Sequence, residues 1–553
     1  MRARRALALA ALLALGLGGC TKVGEGTTGG NAMSDTSHPN VLSISTAEDP
    51  KNLNPALATS QAVGTLSAFL YQYAVLYDDH ARPVPDAVSE VPTIANGDVS
   101  KDGLTLIYKI RPGDKWSDGV PVTCSDFRFT WQVMINPRNN VNTTEGWRDI
   151  KDLDCRNPAV AVVHMKRVYA PFLQQLWGVN GNGPIMPEHV LAKYNDAKGS
   201  FNTASYNSGP QVTSGPYTFL SWERGNAIRM QANPNFVFGK PKIDEVVYKI
   251  IPDQNTLATQ VQTHEVDVAW NLQPASMGFL GRAAGVKVAT PVVYVFDHVD
   301  FNLRHPPFND VLVRRALTYA IDRKSLLDKV RLGLGELSNT FLDPTLFPKM
   351  QDPKVMTYPY DPAKAKALLD QDGWHVGPGG IRVKNGKRLS FQISTQVESD
   401  QGKRVQAQLQ AYWRAVGADA EVKNYPTPMF FDNTANGIIQ GGKSDVVLFA
   451  WTAAADIDNS AIYSGDDFAP HGQNGLFWNN RRATDAMNAA NQTVDEPKRI
   501  ALYHIVQEEF AKDDPSIILW FRKDAEAYTS ALKGFQPTPV ITTPFWDVWN
   551  LHY

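Results

Sequence analysis

The chain has 553 residues, 43% of them hydrophobic, 10% aromatic and 20% charged. That composition excludes wholesale disorder and, on a rough prior of about 100 to 200 residues per domain, suggests about three lobes. Lysine and arginine total 54 against 56 aspartates and glutamates, a formal charge of −2, which leaves no basic excess for broad contact with nucleic-acid phosphates.

Arg2, Arg4 and Arg5 precede an apolar run over 6–17, which closes on Leu17-Gly18-Gly19-Cys20. This is the pattern of an export signal, and the run is too short for a spanning helix of about 20 residues. Its ending resembles the lipobox of bacterial lipoproteins. That resemblance implies a signal peptide over 1–20, a lipid on Cys20, and a mature protein held at the outer face of a membrane by lipid alone. Residues 21–39 carry Gly24, Gly26, Gly29 and Gly30 among small polar residues and read as a flexible tether. Cys124 and Cys155 are then an even pair in an oxidising compartment, which predicts a disulfide, with two separate buried thiols as the alternative.

The folded body starts at 41–45, which alternates as a strand does; 104–110 alternates too and runs into the turn Arg111-Pro112-Gly113-Asp114. Asn309-Asp310 precedes a helical stripe through Leu312, Val313, Ala316 and Leu317, and Asp361-Pro362 opens another helix that Gly373 ends. Residues 401–416 read as a helix, Gly417 as its cap and 420–422 as a strand. The run 445–451 is a further strand, with a helix expected before it from Met429. Strands and helices interleave, so the class is α/β.

The motifs of catalysis are weak. Gly437 to Ser444 matches the phosphate-loop expression, but a strand follows it where a helix should. Asp456-x-Asp458-x-Ser460 lacks the glycine and the terminal glutamate of a calcium loop, as Ala461 and Asp467 stand there. There is no zinc spacing and no Gly-x-Ser-x-Gly elbow. The expectation is a protein that is not an enzyme and that needs neither metal nor cofactor.

A longer pattern is specific. Residues 102–119 (Asp-Gly-Leu-Thr-Leu-Ile-Tyr-Lys-Ile-Arg-Pro-Gly-Asp-Lys-Trp-Ser-Asp-Gly) are followed by Gly215-Pro216-Tyr217, Asn233-Pro234, Pro306-Pro307-Phe308-Asn309-Asp310, Ala320-Ile321-Asp322-Arg323 and Tyr360-Asp361-Pro362. In that order they resemble the extracellular solute-binding proteins of family 5, the peptide, nickel and oligosaccharide receptors of ABC importers. The resemblance runs from about Val41 to the C-terminus.

The implied fold is α/β and periplasmic-binding-protein-like, three-lobed with a hinged ligand cleft. Lobe I is discontinuous (40–77, 208–295 and 525–553), lobe II is 78–207 and lobe III is 296–524. The implied partners are a peptide or other small solute and the ABC permease subunits in the membrane, with the receptor itself a monomer. In peptide-binding members two extended segments flank the ligand backbone. Carried over by motif, these are Thr59-Ser60-Gln61 and, after Trp451, Thr452-Ala453, with Trp270 and Asn271 as a wall. Peptide receptors place an aspartate three residues after that tryptophan to meet the ligand ammonium. Here the position is Ala454, and the first acids are Asp456 and Asp458, between which the sequence does not choose.

Overall fold

The computed structural model describes residues 40–553 apart from 47, 59, 180–182, 433, 453–455, 470–471 and 540–544. The export signal, Cys20, the 21–39 tether, Thr59, Ala453 and Ala454 lie outside the described residues.

The first sheet has seven strands in the order Val286–Ala289, Glu526–Thr529, Val268–Ala269, Val41–Thr46, Glu245–Ile250, Ala227–Ala232 and Tyr217–Glu223. Val41–Thr46 lies parallel to both neighbours, and its Leu42 and Ile44 are fully buried, as a central strand between covered faces requires. The second sheet has six strands in the order Gly335–Glu336, Ser516–Lys523, Val292–Phe301, Val446–Thr452, Ser390–Ser394 and Asp419–Val422. A third, antiparallel sheet joins Thr105–Lys109, Val160–Met165 and Ile150–Asp154. Beside it Cys124 and Cys155 are bonded, with Cα atoms 5.5 Å apart, tying the start of helix Cys124–Ile135 to the end of a strand.

Local chemistry accounts for most element ends. Asp310, Asp361 and Ser399 each accept a backbone N–H of the first turn of helices Val311–Tyr319, Pro362–Gln371 and Asp400–Ala415. Gly417 follows the last of these at φ +92°, a conformation that disfavours side chains. The glycine of Gly215-Pro216-Tyr217 has a packing cause: a Cβ there would stand 2.5 Å from the Phe69 carbonyl oxygen at the end of helix Gln61–Leu70. The helix expected from Met429 is a single turn, Thr427–Phe430. The chain then turns through Gly437, where an added Cβ would stand 2.0 Å from the Asp432 carbonyl oxygen, so this close return of the backbone admits only glycine.

One apolar cluster runs from Leu42, Ile44 and Val246 of the first sheet through Trp116, Trp147 and Trp177 to Leu106 and Val163 of the third. The second sheet has a core on each face. Val299, Leu448, Trp413 and Trp520 pack on one, and Phe296, Tyr503, Phe510 and Phe521 on the other. The period of two along Ser516–Lys523 sends Trp520 and Phe521 to opposite sides.

Candidate functional site

The chain crosses between the first and second sheets twice. Strand Val286–Ala289 leads through Thr290-Pro291 into Val292–Phe301, and Ser516–Lys523 returns through Asp524-Ala525 into Glu526–Thr529. The Asp524 N–H donates to the Pro291 carbonyl at 2.9 Å and ties the two crossings together. Both sheets bring strand ends here. On the second sheet Trp451 pairs with Phe296 and Thr452 with Val295. On the first, Val268 pairs with Tyr528 and Ala269 with Ala527, a register that one further step sets Trp270 opposite Glu526.

Trp451 is half-buried and Thr452 exposed, at the end of a strand that outruns one neighbour. Ser390–Ser394 pairs with Val446 and Val447 only, so among the described residues Leu448 to Thr452 have a strand partner on one side alone. Trp270 is 4% exposed and stands edge-on to Phe545 at 5.7 Å, and its buried indole Nε1 has no hydrogen-bond partner among the described residues. Asn271 is exposed, at φ +56°. Ser60 has extended backbone and caps helix Gln61–Leu70, its hydroxyl accepting from the Val63 N–H at 3.5 Å. Gln61 is therefore the first helical residue rather than part of an extended segment.

The two acids differ. Asp456 is held by Arg499 through both guanidinium nitrogens, one at 2.7 Å, and its N–H donates to Gln174 Oε1 at 2.7 Å. Asp458 accepts from the Ser460 N–H at 2.9 Å and hydroxyl at 2.6 Å, both through Oδ1. The Asp456 charge reaches Tyr77, whose hydroxyl burial holds well above the ordinary phenol range. Next to this loop a cavity of about 590 Å³ opens between Glu145 and Tyr169 on one side and Ser460 and Asp467 on the other.

Sequence reasoning missed the charges at the crossing. Arg522 grips buried Asp297 from Nε at 2.8 Å and from its terminal nitrogen at 2.7 Å. Trp520 Nε1 donates to the same carboxylate at 2.6 Å and Gln401 at 3.2 Å. Burial alone would raise the Asp297 carboxyl; Arg522, Arg331 and the Trp520 N–H outweigh it and hold it below the ordinary range. Asp524 goes the other way, raised by burial against the pull of Arg522 and Arg331. Glu526, 5% exposed, is raised well above the usual carboxyl range by burial and by the Asp524 charge, and its Oε2 has no hydrogen-bond partner among the described residues. No local motif marks these residues, because strand pairing alone assembles them.

Among the described residues one group has metal-binding spacing, Asp78, Asp79 and His80. Asp78 is already saturated by the His80 and Arg82 N–H groups and the Arg82 guanidinium at 2.8 to 2.9 Å.

The model of the bacterial extracellular solute-binding proteins, family 5, matches residues 52–469. The chain belongs to this family. Along nearly its whole length this solute-binding protein is 23% identical to the oligopeptide-binding protein AppA of Bacillus subtilis over 539 residues, covering 96% of each chain. It is 25% identical to the di/tripeptide-binding protein 2 of Pseudomonas aeruginosa, covering 92% of this chain and 94% of that one. Its fold is that of solved family structures. NikZ from Campylobacter jejuni, in complex with Ni(L-His), superposes with a TM-score of 0.79 at 23% identity, over 93% of this chain and all of that one. AppA from Bacillus subtilis with a nonapeptide gives 0.77 at 22%, over 92% and 98%. No helix of the described residues is long and apolar enough to cross a membrane.

Proposed function

We propose that this solute-binding protein is a lipid-anchored, extracytoplasmic receptor that captures peptides and hands them to the permease of an ABC importer, with no catalytic step of its own. The three-lobe division given above is part of the proposal: the first and second sheets form the cores of lobes I and III, and the two crossings are the hinge on which they close. The observation that carries the reading is the strand end at Phe449 to Thr452, beyond the Leu448 carbonyl that accepts from the Thr395 hydroxyl at 2.8 Å. Its unpaired edge beside the crossing can accept an extended ligand backbone as a neighbouring strand, a mode that recognises peptides irrespective of side chain. The peptide-binding relatives support the same choice.

On this reading Trp451, Thr452 and Ala453 line one side of the ligand, Thr59, Ser60 and Gln61 the other, and Trp270 and Asn271 the wall, with Asp456 and Asp458 on the loop beyond. Native mass spectrometry of the mature protein, released gently from the membrane of its own cells, tests the assignment. Peptides are expected as the co-purifying mass; a single non-peptide solute overturns it. Palmitate labelling of wild type but not of Cys20→Ala tests the anchor.

A second reading, a metal-chelate receptor, has one observation in its favour. Asp456 is already committed to Arg499, so the loop after Thr452 offers a ligand one acid fewer, and NikZ holds a nickel–histidine complex on the same fold. A nickel-bearing mass in the same experiment would select it.

A further inference from the structure

We propose that Glu526 is the acid that receives the ligand's cationic group, which on the peptide reading above is the α-ammonium, and that the Trp270 indole N–H beside it binds the first ligand carbonyl.

Both side chains are more than nine-tenths buried, and each has a polar atom with no partner among the described residues, Glu526 Oε2 and Trp270 Nε1. A buried unpaired acceptor or donor is costly, and native structures seldom keep one without a use. Here Trp270 directly follows strand Val268–Ala269 and Glu526 opens the strand paired with it, so continuing the register of Ala269 with Ala527 by one residue sets the two opposite each other, just before the irregularity at Asn271. Val268 and Trp270 belong to the apolar cluster against which Tyr528 packs, whereas Ala269, Ala525 and Ala527 belong to the cluster on the opposite face. Strand alternation therefore puts Glu526 on the face of Tyr528 and Trp270, and directly paired side chains on one face stand about 5 Å apart. An acceptor and a donor at that spacing complement the ammonium and the first carbonyl of a peptide.

The charges around Glu526 leave it unsatisfied. On its own segment lies Asp524, whose negative charge acts on it, and Tyr528. On the neighbouring strand Lys287 sits over the Tyr528 ring at 6.0 Å, and Ala289 is the residue opposite Glu526. Beyond Asp524, the guanidinium groups of Arg522 and Arg331 already face Asp297 and Asp524. Lys523 is paired with Glu336 at 3.1 Å. On the other side Val268, Trp270 and Asn271 carry no charge. The site thus lacks one cation, and the carboxyl meets that lack by keeping its proton. An arriving ammonium supplies the cation, the Glu526 proton leaves to solvent, and a charge-assisted pair forms in its place.

Binding should therefore release a proton. The test uses alanine peptides of three, five and nine residues, each with a free and an acetylated N-terminus. Calorimetry is run at pH 6.5, where the α-amino group is still charged, in two buffers of different protonation enthalpy. Wild type is expected to release protons on binding free peptide and none on binding acetylated peptide. In Glu526→Gln the release should vanish and the free peptides should bind at least about 30-fold more weakly, while the acetylated ones bind as before. Glutamine has the shape of the protonated acid, so the thermal unfolding of the ligand-free variant should match or exceed that of wild type. Asp458→Asn is expected to keep both the release and the preference for free peptides. Peptide binding without proton release, or a preference lost in Asp458→Asn and kept in Glu526→Gln, overturns the assignment of Glu526 alone. If none of the six peptides binds wild type, the peptide reading falls and this one with it.

Discussion

Asp297→Asn isolates the charge brace at the base of the crossing. The substitution keeps size and shape but leaves Arg522, and Arg331 behind it, without the carboxylate that both face. Asp297 is 5% exposed and the Arg522 side chain 24% exposed, so the pair is largely desolvated, and removing one member of such a pair typically costs about 3 to 5 kcal/mol. The Trp520 N–H would also lose its ionised acceptor, and hydrogen bonds to charged groups are the stronger kind. Urea unfolding followed by tryptophan fluorescence reads the effect. With a slope of roughly 3 kcal/mol per molar, the upper end for small proteins, the midpoint should fall by about 1 to 1.7 M. The pH dependence has a definite sign. The folded-state pKa of Asp297 lies below that of the unfolded chain, so its stabilisation is complete above about pH 5 and is lost as pH falls through the folded value. The difference between wild type and variant should then shrink below about pH 4. The double variant Asp297→Asn, Arg522→Gln should recover a large part of the loss. A cost under about 1 kcal/mol at pH 7, or a difference that grows on acidification, would refute this account of the brace.

Asp456→Asn should behave as a structural variant. Its partner Arg499 has a side chain 13% exposed, so the expected result is a stability loss of about 3 to 5 kcal/mol with an unchanged ratio of affinities for free and acetylated peptide, read by the same calorimetry. Replacing Cys124 and Cys155 by serine opens a loop spanning 31 positions, for which the chain-entropy model gives about 3 to 4 kcal/mol; a fall in the unfolding midpoint under non-reducing conditions, absent when wild type is already reduced, checks it. Glu526→Gln should flatten the pH dependence of stability. A carboxyl whose folded pKa is raised makes the protein lose about 1.4 kcal/mol per pH unit between its unfolded and folded values, and glutamine has no such slope.

What the sequence revealed about the fold was local. Asp310 and Asp361 announce helix starts because the capping bond is made within three residues, and 104–110 announces a strand because alternate burial is written in adjacent positions. The failure after Met429 was local too, since the glycines of the turn were visible but the Asp432 carbonyl that crowds Gly437 was not. The site was less legible, because its parts are far apart. Asp297 and Arg522 are 225 positions apart, and the opposition of Trp270 and Glu526 follows only from the antiparallel register of two short strands. Asp456 was visible as an acid near the right strand, while Arg499, 43 positions on and already holding it, was not.

The position of Glu526 also bears on how binding and closure are coupled. A ligand can shift a two-state equilibrium only by binding the two states differently, so it must touch both moving parts. The open strand edge at Phe449 to Thr452 belongs to the second sheet, and the loop bearing Asp456 and Asp458 follows it in the chain. Glu526 and Trp270 belong to the first sheet. On the proposed reading, an extended peptide along the second-sheet edge with its ammonium on Glu526 and its first carbonyl on Trp270 would span the proposed hinge, so its charge pair would favour the closed form. Loss of the ammonium pair by Glu526→Gln should therefore weaken closure as well as affinity. Small-angle scattering with saturating nonapeptide should show a more expanded particle for the variant than for wild type, whereas equal compaction at saturation would separate the ammonium pair from the closure step.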